Sequence, residues 1–132
     1  MSDHKFNNTK VLNLEPSDFS GKILTFKVQN MPGIVLVFVW ASYCGHCVNA
    51  VPTFVTLASR HNKNTLDHNS ITITALQGDS KDPSDKEILA IFQKLTPIRG
   101  YPTILIFKNG DFLHQYKGDR TLDAIESYLT SI

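Results

Sequence analysis

The sequence predicts an α/β domain, a central β-sheet flanked by helices, and three stretches carry that prediction. Ile34 to Ala41 (IVLVFVWA) has no charged or amide side chain and is rich in β-branched residues, as expected of a central strand covered on both faces. Directly after it, Cys44-Gly45-His46-Cys47 opens a run with helical spacing. Further on, TILIFK and DFLHQY flank Asn109-Gly110, the strongest short-range hairpin signal.

The remaining elements follow from local pattern. Residues 1–10 are polar and expected to be loose, and Asn7-Asn8-Thr9 fits a glycosylation sequon, a triplet that often arises by chance. Val11 to Leu14 is a short strand. Glu15 to Phe19 begins a turn or short helix with Pro16 near its first position. Ile23 to Val28 reads as an edge strand or a further stretch of helix, and Asn30 to Gly33 turns the chain into the central strand. After the cysteines, Val48, Val51, Val55, Leu57 and Ala58 keep helical spacing to about His61, with a kink expected at Pro52. A polar loop over 62–70 leads to the β-branched strand Ile71 to Gln77. In DPSDKE, Ser84 is expected to cap the next helix and Glu87 to complete a capping box. The apolar face of that helix holds Ile88, Leu89, Ile91, Phe92 and Leu95, and Pro97 ends it. Thr121 caps a last helix in which Leu122, Ile125, Leu129 and Ile132 share a face. The predicted order is β-α-β-α-β-α-β-β-α.

Length and composition narrow the function. A chain of 132 residues suits a single domain over residues 1–132, burying roughly two-thirds of its unfolded surface. The 13 basic and 12 acidic residues leave a net charge of +1, which argues against nucleic acid or an anionic membrane as partner. MSDHKFNNTKVLNLEP lacks the apolar core of a secretory signal, and no segment approaches the ~20 apolar residues of a membrane span. The expectation is a soluble chain that works where it is made, or one from which a targeting segment has been removed.

The 2 cysteines admit three readings. A structural disulfide closing so small a loop constrains little of the unfolded chain. A zinc site wants further ligands, and His4, His61, His68 and His114 contain no closely spaced pair. A redox dithiol beside an α/β unit is the favoured reading. That chemistry needs a thiolate, and a strand-to-helix break helps to make one. Cys44 stands at the N-terminus of the predicted helix, where unpaired N–H groups and the helix dipole favour an anion. Cys47, one turn further in, is close enough to bridge and more buried. The implied roles are Cys44 as nucleophile and Cys47 as the resolving thiol that attacks the mixed disulfide. Between them, His46 is either an exposed helix-start residue without a role or a partly protonated imidazole that stabilises the Cys44 thiolate. The second role would stabilise the reduced form and make the disulfide a better oxidant.

Three separated motifs, WASYCGHCVNAVP, RGYPTILIFKNGD and YKGDRTLDAIESYL, stand in an order and spacing that resembles a thioredoxin-fold domain, most of all a catalytic domain of protein disulfide isomerase. The resemblance covers roughly residues 34–131. It implies a thioredoxin fold with a mixed central sheet, and thiol–disulfide oxidoreductase activity that oxidises or isomerises disulfides in protein substrates. It also implies glutathione, or a reductase or oxidase, as redox partner, no cofactor or metal, and an oxidising context like the endoplasmic reticulum. The chain itself shows no signal peptide or retention tetrapeptide and ends in LTSI. Tyr101-Pro102 matches the family's cis-proline loop, which lies beside the dithiol and holds substrate backbone. Gly100 and Thr103 would shape the same loop. Taken alone, Pro102 would read as an ordinary trans turn proline. Arg120 matches an arginine that lowers the pKa of the buried cysteine, where the residues alone equally allow a solvated loop arginine. Gly118 fits a tight approach before the last helix, and Pro52 matches the kink proline. Trp40 and Tyr43 flank the site as core or rim, with Tyr43 replacing the tryptophan usual before the first cysteine.

Other departures bear on mechanism. Phe38 falls where these enzymes usually bury a Glu or Asp that shuttles a proton for the resolving cysteine, and Phe cannot do so. The strand Ile71 to Gln77 lacks a neighbouring lysine, and Val48 stands where a lysine commonly follows the motif. Release of the mixed disulfide through Cys47 is therefore expected to be slowed, or to depend on water or Arg120. Two alternatives to an oxidase or isomerase follow. One is a thioredoxin-like disulfide reductase. The other is a redox-weak binding module for unfolded or cysteine-bearing proteins.

Overall fold

The computed structural model describes residue 6 and residues 9–20, 27–28, 31–63 and 66–132. The apolar run after Gly33 is a strand, Ile34–Trp40, in which all seven residues are buried. In chain order the elements are β1 (Leu12–Asn13), a 3₁₀ turn (Pro16–Asp18), β2 (Phe19–Ser20), β3 (Lys27–Val28), β4 (Ile34–Trp40), α1 (Gly45–His61), β5 (Ile71–Gln77), α2 (Pro83–Leu95), β6 (Thr103–Lys108), β7 (Asp111–Tyr116) and α3 (Leu122–Ser131). They build one mixed sheet of order β1-β5-β4-β6-β7-β3-β2. β4 pairs with β5 in parallel, Ile34 opposite Ile71 through Trp40 opposite Gln77. On its other edge it pairs antiparallel with β6, Val39 opposite Thr103.

Side chains alternate across a strand, so β4 divides the core into two. Ile34, Leu36, Phe38 and Trp40 point to one face, where they pack with Ala50, Phe54 and Leu57 of α1 and Ile125 and Leu129 of α3. Val35, Val37 and Val39 point to the other, against Ile88 and Phe92 of α2 and Phe107 of β6. On the first face the Phe38 and Phe54 rings stack with centroids 4.2 Å apart, and Phe6 meets Phe38 edge-on at 5.8 Å. Arg60 and His61 at the end of α1 both reach Glu126 of α3, each at 2.6 Å. Among the described residues no helix is long and apolar enough to cross a membrane.

Turn chemistry sets the bounds of these elements. Asn109 (φ 51°) and Gly110 (φ 89°) close the β6–β7 hairpin, both in the left-handed region that a two-residue turn of this hand requires. Asn109 also ties the turn to the start of β4: its side-chain oxygen accepts from Gly33 N–H at 2.9 Å and its own N–H donates to the Gly33 carbonyl at 2.8 Å. Gly33 itself has φ 82°, and a Cβ there would stand 2.4 Å from the Ser70 carbonyl oxygen. A register shift at Ile106/Phe107 marks a bulge in the hairpin.

Several expectations change in detail. The N-cap of α2 is Asp82, whose carboxylate accepts from Ser84 N–H at 2.9 Å, so Ser84 is inside the helix and the Ser84–Glu87 capping box does not form. Pro83 explains the difference, because its missing N–H suits the first helical position and leaves the residue before it to cap. A capping box forms instead at the 3₁₀ turn, between Glu15 and Asp18. Phe6 lies in the stretch expected to be loose but is buried against Phe38 and Trp40. Ile132 is exposed rather than sharing the buried face of Ile125 and Leu129. Lys27 and Val28 are strand, while 23–26, Asn7 and Asn8 of the sequon, Asn30 and most of 1–10 lie outside the described residues.

Because Phe54 fills the space between α1 and Phe38, Phe54→Ala should lower the unfolding free energy by about 3–5 kcal/mol. Asp82→Ala, which removes only a cap, should cost about 1 kcal/mol. Urea denaturation of the two variants against the parent chain checks both values and their order.

Candidate active site

β4 ends at Trp40 and α1 begins at Gly45, so the four residues between them place Cys44 at the N-cap. There its Sγ accepts a hydrogen bond from Cys47 N–H at 3.1 Å, one of the donors a helix start leaves without an intrahelical partner. Cys44 N–H in turn donates to the Ala41 carbonyl at 3.1 Å, closing the loop. The two sulfurs are free thiols in this structure. Cys44 keeps 9% of its surface exposed and Cys47 1%. Both pack into the face of the core that holds Phe38, Trp40, Ala50 and Phe54.

Burial pushes the Cys47 thiol up to about 12, and its hydrogen bond with Cys44 adds to the rise. The Ala41 backbone and the Arg120 charge pull the other way and are outweighed. Arg120 is exposed, but its guanidinium is near enough for its charge to act on Cys47. His46 is exposed on the first turn of α1, and its side chain makes no hydrogen bond among the described residues. Among the described residues no three His, Cys, Asp or Glu side chains gather to hold a metal ion.

The Tyr101–Pro102 bond is cis. Thr103 follows it into β6 opposite Val39, which brings this loop to the end of β4 from which Cys44 departs. Thr103 Oγ1 donates to the Gly100 carbonyl at 2.7 Å, bracing the loop. Tyr101 is half-buried against the core face that includes both cysteines. Tyr43, 74% exposed, meets it edge-on at 6.3 Å. Trp40 is core: it is buried, and Phe6 packs on it at 6.2 Å. Pro52 sits on the exposed side of α1, and the helix continues through it. At Gly118 a Cβ would stand 2.7 Å from the hydroxyl of Tyr116, which donates to the Asp119 carbonyl at 2.6 Å.

A second anchor was not legible in the sequence. The Asp79 carboxylate accepts from Ser42 N–H at 3.1 Å, from the Ser42 hydroxyl at 2.5 Å and from Gln77 Nε2 at 3.0 Å. Burial raises the Asp79 pKa, yet the donors from Ser42 and Gln77 win and hold it below the usual range. Gly78 N–H donates to the Trp40 carbonyl at 2.7 Å, and the Tyr101 ring lies so close that a Cβ at Gly78 would meet it at 2.4 Å. The β5–α2 loop thus holds both the cysteine loop and the cis-proline loop.

Scaffold and site together define an α/β dithiol protein, with one thiol at a helix start and its partner buried a turn later. The thioredoxin family model matches residues 10–131, and the chain belongs to the thioredoxin family. Protein disulfide-isomerase of Datisca glomerata is 30% identical over 120 residues, 90% of this chain and 21% of that protein. The putative thioredoxin-like protein 453L of invertebrate iridescent virus 6 is 27% identical over 118 residues, 83% of this chain and 84% of that protein. In structure the zinc-bound form of human ERp44 matches with a TM-score of 0.64 at 19% identity, over 92% of this chain and 29% of that one. The fold is the thioredoxin fold. The chain spans about a fifth of the length of the protein disulfide-isomerases it matches. Family membership and the Cys44–Cys47 spacing support thiol–disulfide exchange.

A buried neutral thiol stabilises the fold below its unfolded value near 9 and loses that contribution as pH climbs towards about 12. The reduced chain should therefore lose stability between pH 9 and 12 more steeply than Cys47→Ala. Tyr116 and Tyr128, also raised, contribute equally to both and cancel in the comparison, while Tyr101, raised mainly by its own burial, differs only by the small contribution of the Cys47 charge. Equal slopes in urea titrations across that range would contradict the burial of Cys47.

Proposed function

We propose that this chain acts, as a single thioredoxin-like domain, as a thiol–disulfide oxidoreductase on the cysteines of protein substrates, oxidising or isomerising their disulfides. The observation that carries the reading is the hydrogen bond from Cys47 N–H to Cys44 Sγ at the N-cap of α1. A donor aimed at this sulfur stabilises the negative charge that a nucleophilic thiolate carries.

In the reducing direction, the Cys44 thiolate attacks one sulfur of a substrate disulfide. One S–S bond forms to Cys44, the substrate bond breaks and a substrate thiolate leaves. Cys47 then gives up its proton and attacks Cys44 Sγ, which forms the Cys44–Cys47 disulfide and frees the second substrate thiolate. The substrate gains two electrons and the dithiol loses two. Oxidation of a substrate dithiol is the same sequence run backwards, and isomerisation stops at the mixed disulfide and lets another substrate thiol resolve it. Glutathione or a partner reductase or oxidase would reset the pair, and an oxidising compartment like the endoplasmic reticulum suits this direction of use. His46 would stabilise the Cys44 thiolate, Arg120 would favour ionised Cys47, and Tyr43, Gly100, Tyr101 and Pro102 would hold substrate backbone.

The second thiol transfer is the difficult one. Cys47 must ionise among Phe38, Phe54 and Trp40, none of which can take its proton. This supports a second reading, in which slow release makes the chain a redox-weak module that keeps cysteine-bearing partners as mixed disulfides. Insulin reduction paired with refolding of scrambled ribonuclease separates the readings: an oxidoreductase turns over in at least one assay, and a binding module fails both.

Phe38→Glu supplies a proton acceptor in the core cluster that holds Cys47 and should speed release of the mixed disulfide by about tenfold or more in stopped-flow turnover. Phe38→Leu controls for the lost ring stacking, and no gain for the acid over that control counts against a proton-limited step. His46→Pro should make the couple more reducing, by about 30 mV for each ~1.4 kcal/mol of thiolate stabilisation removed. An unchanged equilibrium with glutathione would refute the role of His46.

A further inference from the structure

An open groove of about 820 Å³ lies between the loop that ends in Pro102 and strand β7. A smaller hollow of about 240 Å³ continues it to Arg120, the two sharing Pro102, Thr103, Gln115 and Lys117. Among the described residues three cations line this path, Arg99, Lys117 and Arg120, and no Asp or Glu does. Among the described residues none of the three is paired with a carboxylate, in contrast to Arg60, which Glu126 holds at 2.6 Å. His114 also lines the groove, its Nδ1 2.9 Å from the Gln115 carbonyl oxygen and its Nε2 against the Tyr128 hydroxyl. The whole chain carries only +1, so this unpaired positive charge is a local feature. Its far end is electrostatically coupled to the dithiol, since the Arg120 charge acts on Cys47.

We propose that this groove seats an acidic stretch of a client polypeptide, its carboxylates meeting Arg99 and Lys117 while the adjoining cysteine passes over Tyr101–Pro102 to Cys44. The proposal rests on the oxidoreductase reading and names the substrates that site prefers. Charge complementarity across an exposed groove acts mostly on encounter and selection among clients, and salt weakens it.

The test uses the reduced full chain in single turnover, so that its own dithiol supplies the two electrons. Three disulfide-linked peptides, identical except for Asp, Asn or Lys at the positions flanking the cysteine, are compared. The Asp peptide should react roughly three- to tenfold faster than the Asn peptide at low ionic strength, and the Lys peptide slowest. That advantage should shrink at high salt, and the paired variant Arg99→Gln/Lys117→Gln should bring the three rates together. Equal rates on the parent chain, or a preference that survives in the paired variant, overturn the proposal. Oxidised glutathione, also anionic, is run beside the peptides. If only its rate falls in the paired variant, the groove belongs to a small anionic thiol and the polypeptide assignment is lost. If no disulfide reacts, the oxidoreductase reading has failed, and anisotropy of the Cys→Ser peptides then decides on the groove: salt-sensitive binding of the Asp form alone upholds it, and no binding or equal binding overturns it.

Discussion

The hydrogen bond from Cys47 N–H to Cys44 Sγ sets the terms for everything near the dithiol. It exists because a buried strand stops at Trp40 and a helix starts at Gly45, leaving just enough chain to bring the first sulfur over the helix N-terminus. The same geometry buries the second sulfur a turn later, so one device makes the two thiols unequal. Cys44 faces a donor at the edge of the core. Cys47 faces side chains that cannot solvate a charge.

That inequality conflicts with the needs of a full exchange cycle, which requires each sulfur to ionise in turn. Phe38 is where stability and turnover part. As a ring stacked on Phe54 and met edge-on by Phe6, it fills the α1 face of the sheet, a contribution of the order of a few kcal/mol. An ionisable group there would loosen the core and give the Cys47 proton somewhere to go. The chain has the apolar solution, and the Ala41 backbone and the Arg120 charge, which favour ionised Cys47, are outweighed by burial.

The fold was legible wherever one face repeats. β5, β6 and β7 match their expected bounds because β-branched runs end at turn residues, and Asn109-Gly110 fixes the hairpin between the last two. The end of α1 at His61 followed from the spacing of its apolar residues. The cap of α2 was misread because Asp82 and Ser84 both suit a cap, and only the place of Pro83 decides between them. In the site, the two cysteines are legible from their spacing, whereas Pro102 alone reads as an ordinary trans turn proline and is singled out only by the family resemblance. The Asp79–Ser42 bridge was not legible, since it joins two loops 37 residues apart that share no period. The burial of Phe6 escaped for the same reason: nothing in a polar leader says which of its residues will reach across to Phe38 and Trp40.

The sheet register connects the buried thiols to the exposed groove. Val39 opposite Thr103 brings the cis-proline loop to the end of β4, and Trp40 opposite Gln77 brings the Asp79 loop there from the other side. Slipping either pairing by one residue would reverse the faces of that strand, and would part the Tyr101 ring from Gly78 or the Asp79 carboxylate from Ser42. On the proposed reading, selection of clients rests on Arg99 and Lys117, neither of which belongs to the buried strand that aims Cys44. The reactivity of the sulfurs is then set at the start of α1 and in the core beneath it, with Arg120 as the link between the two.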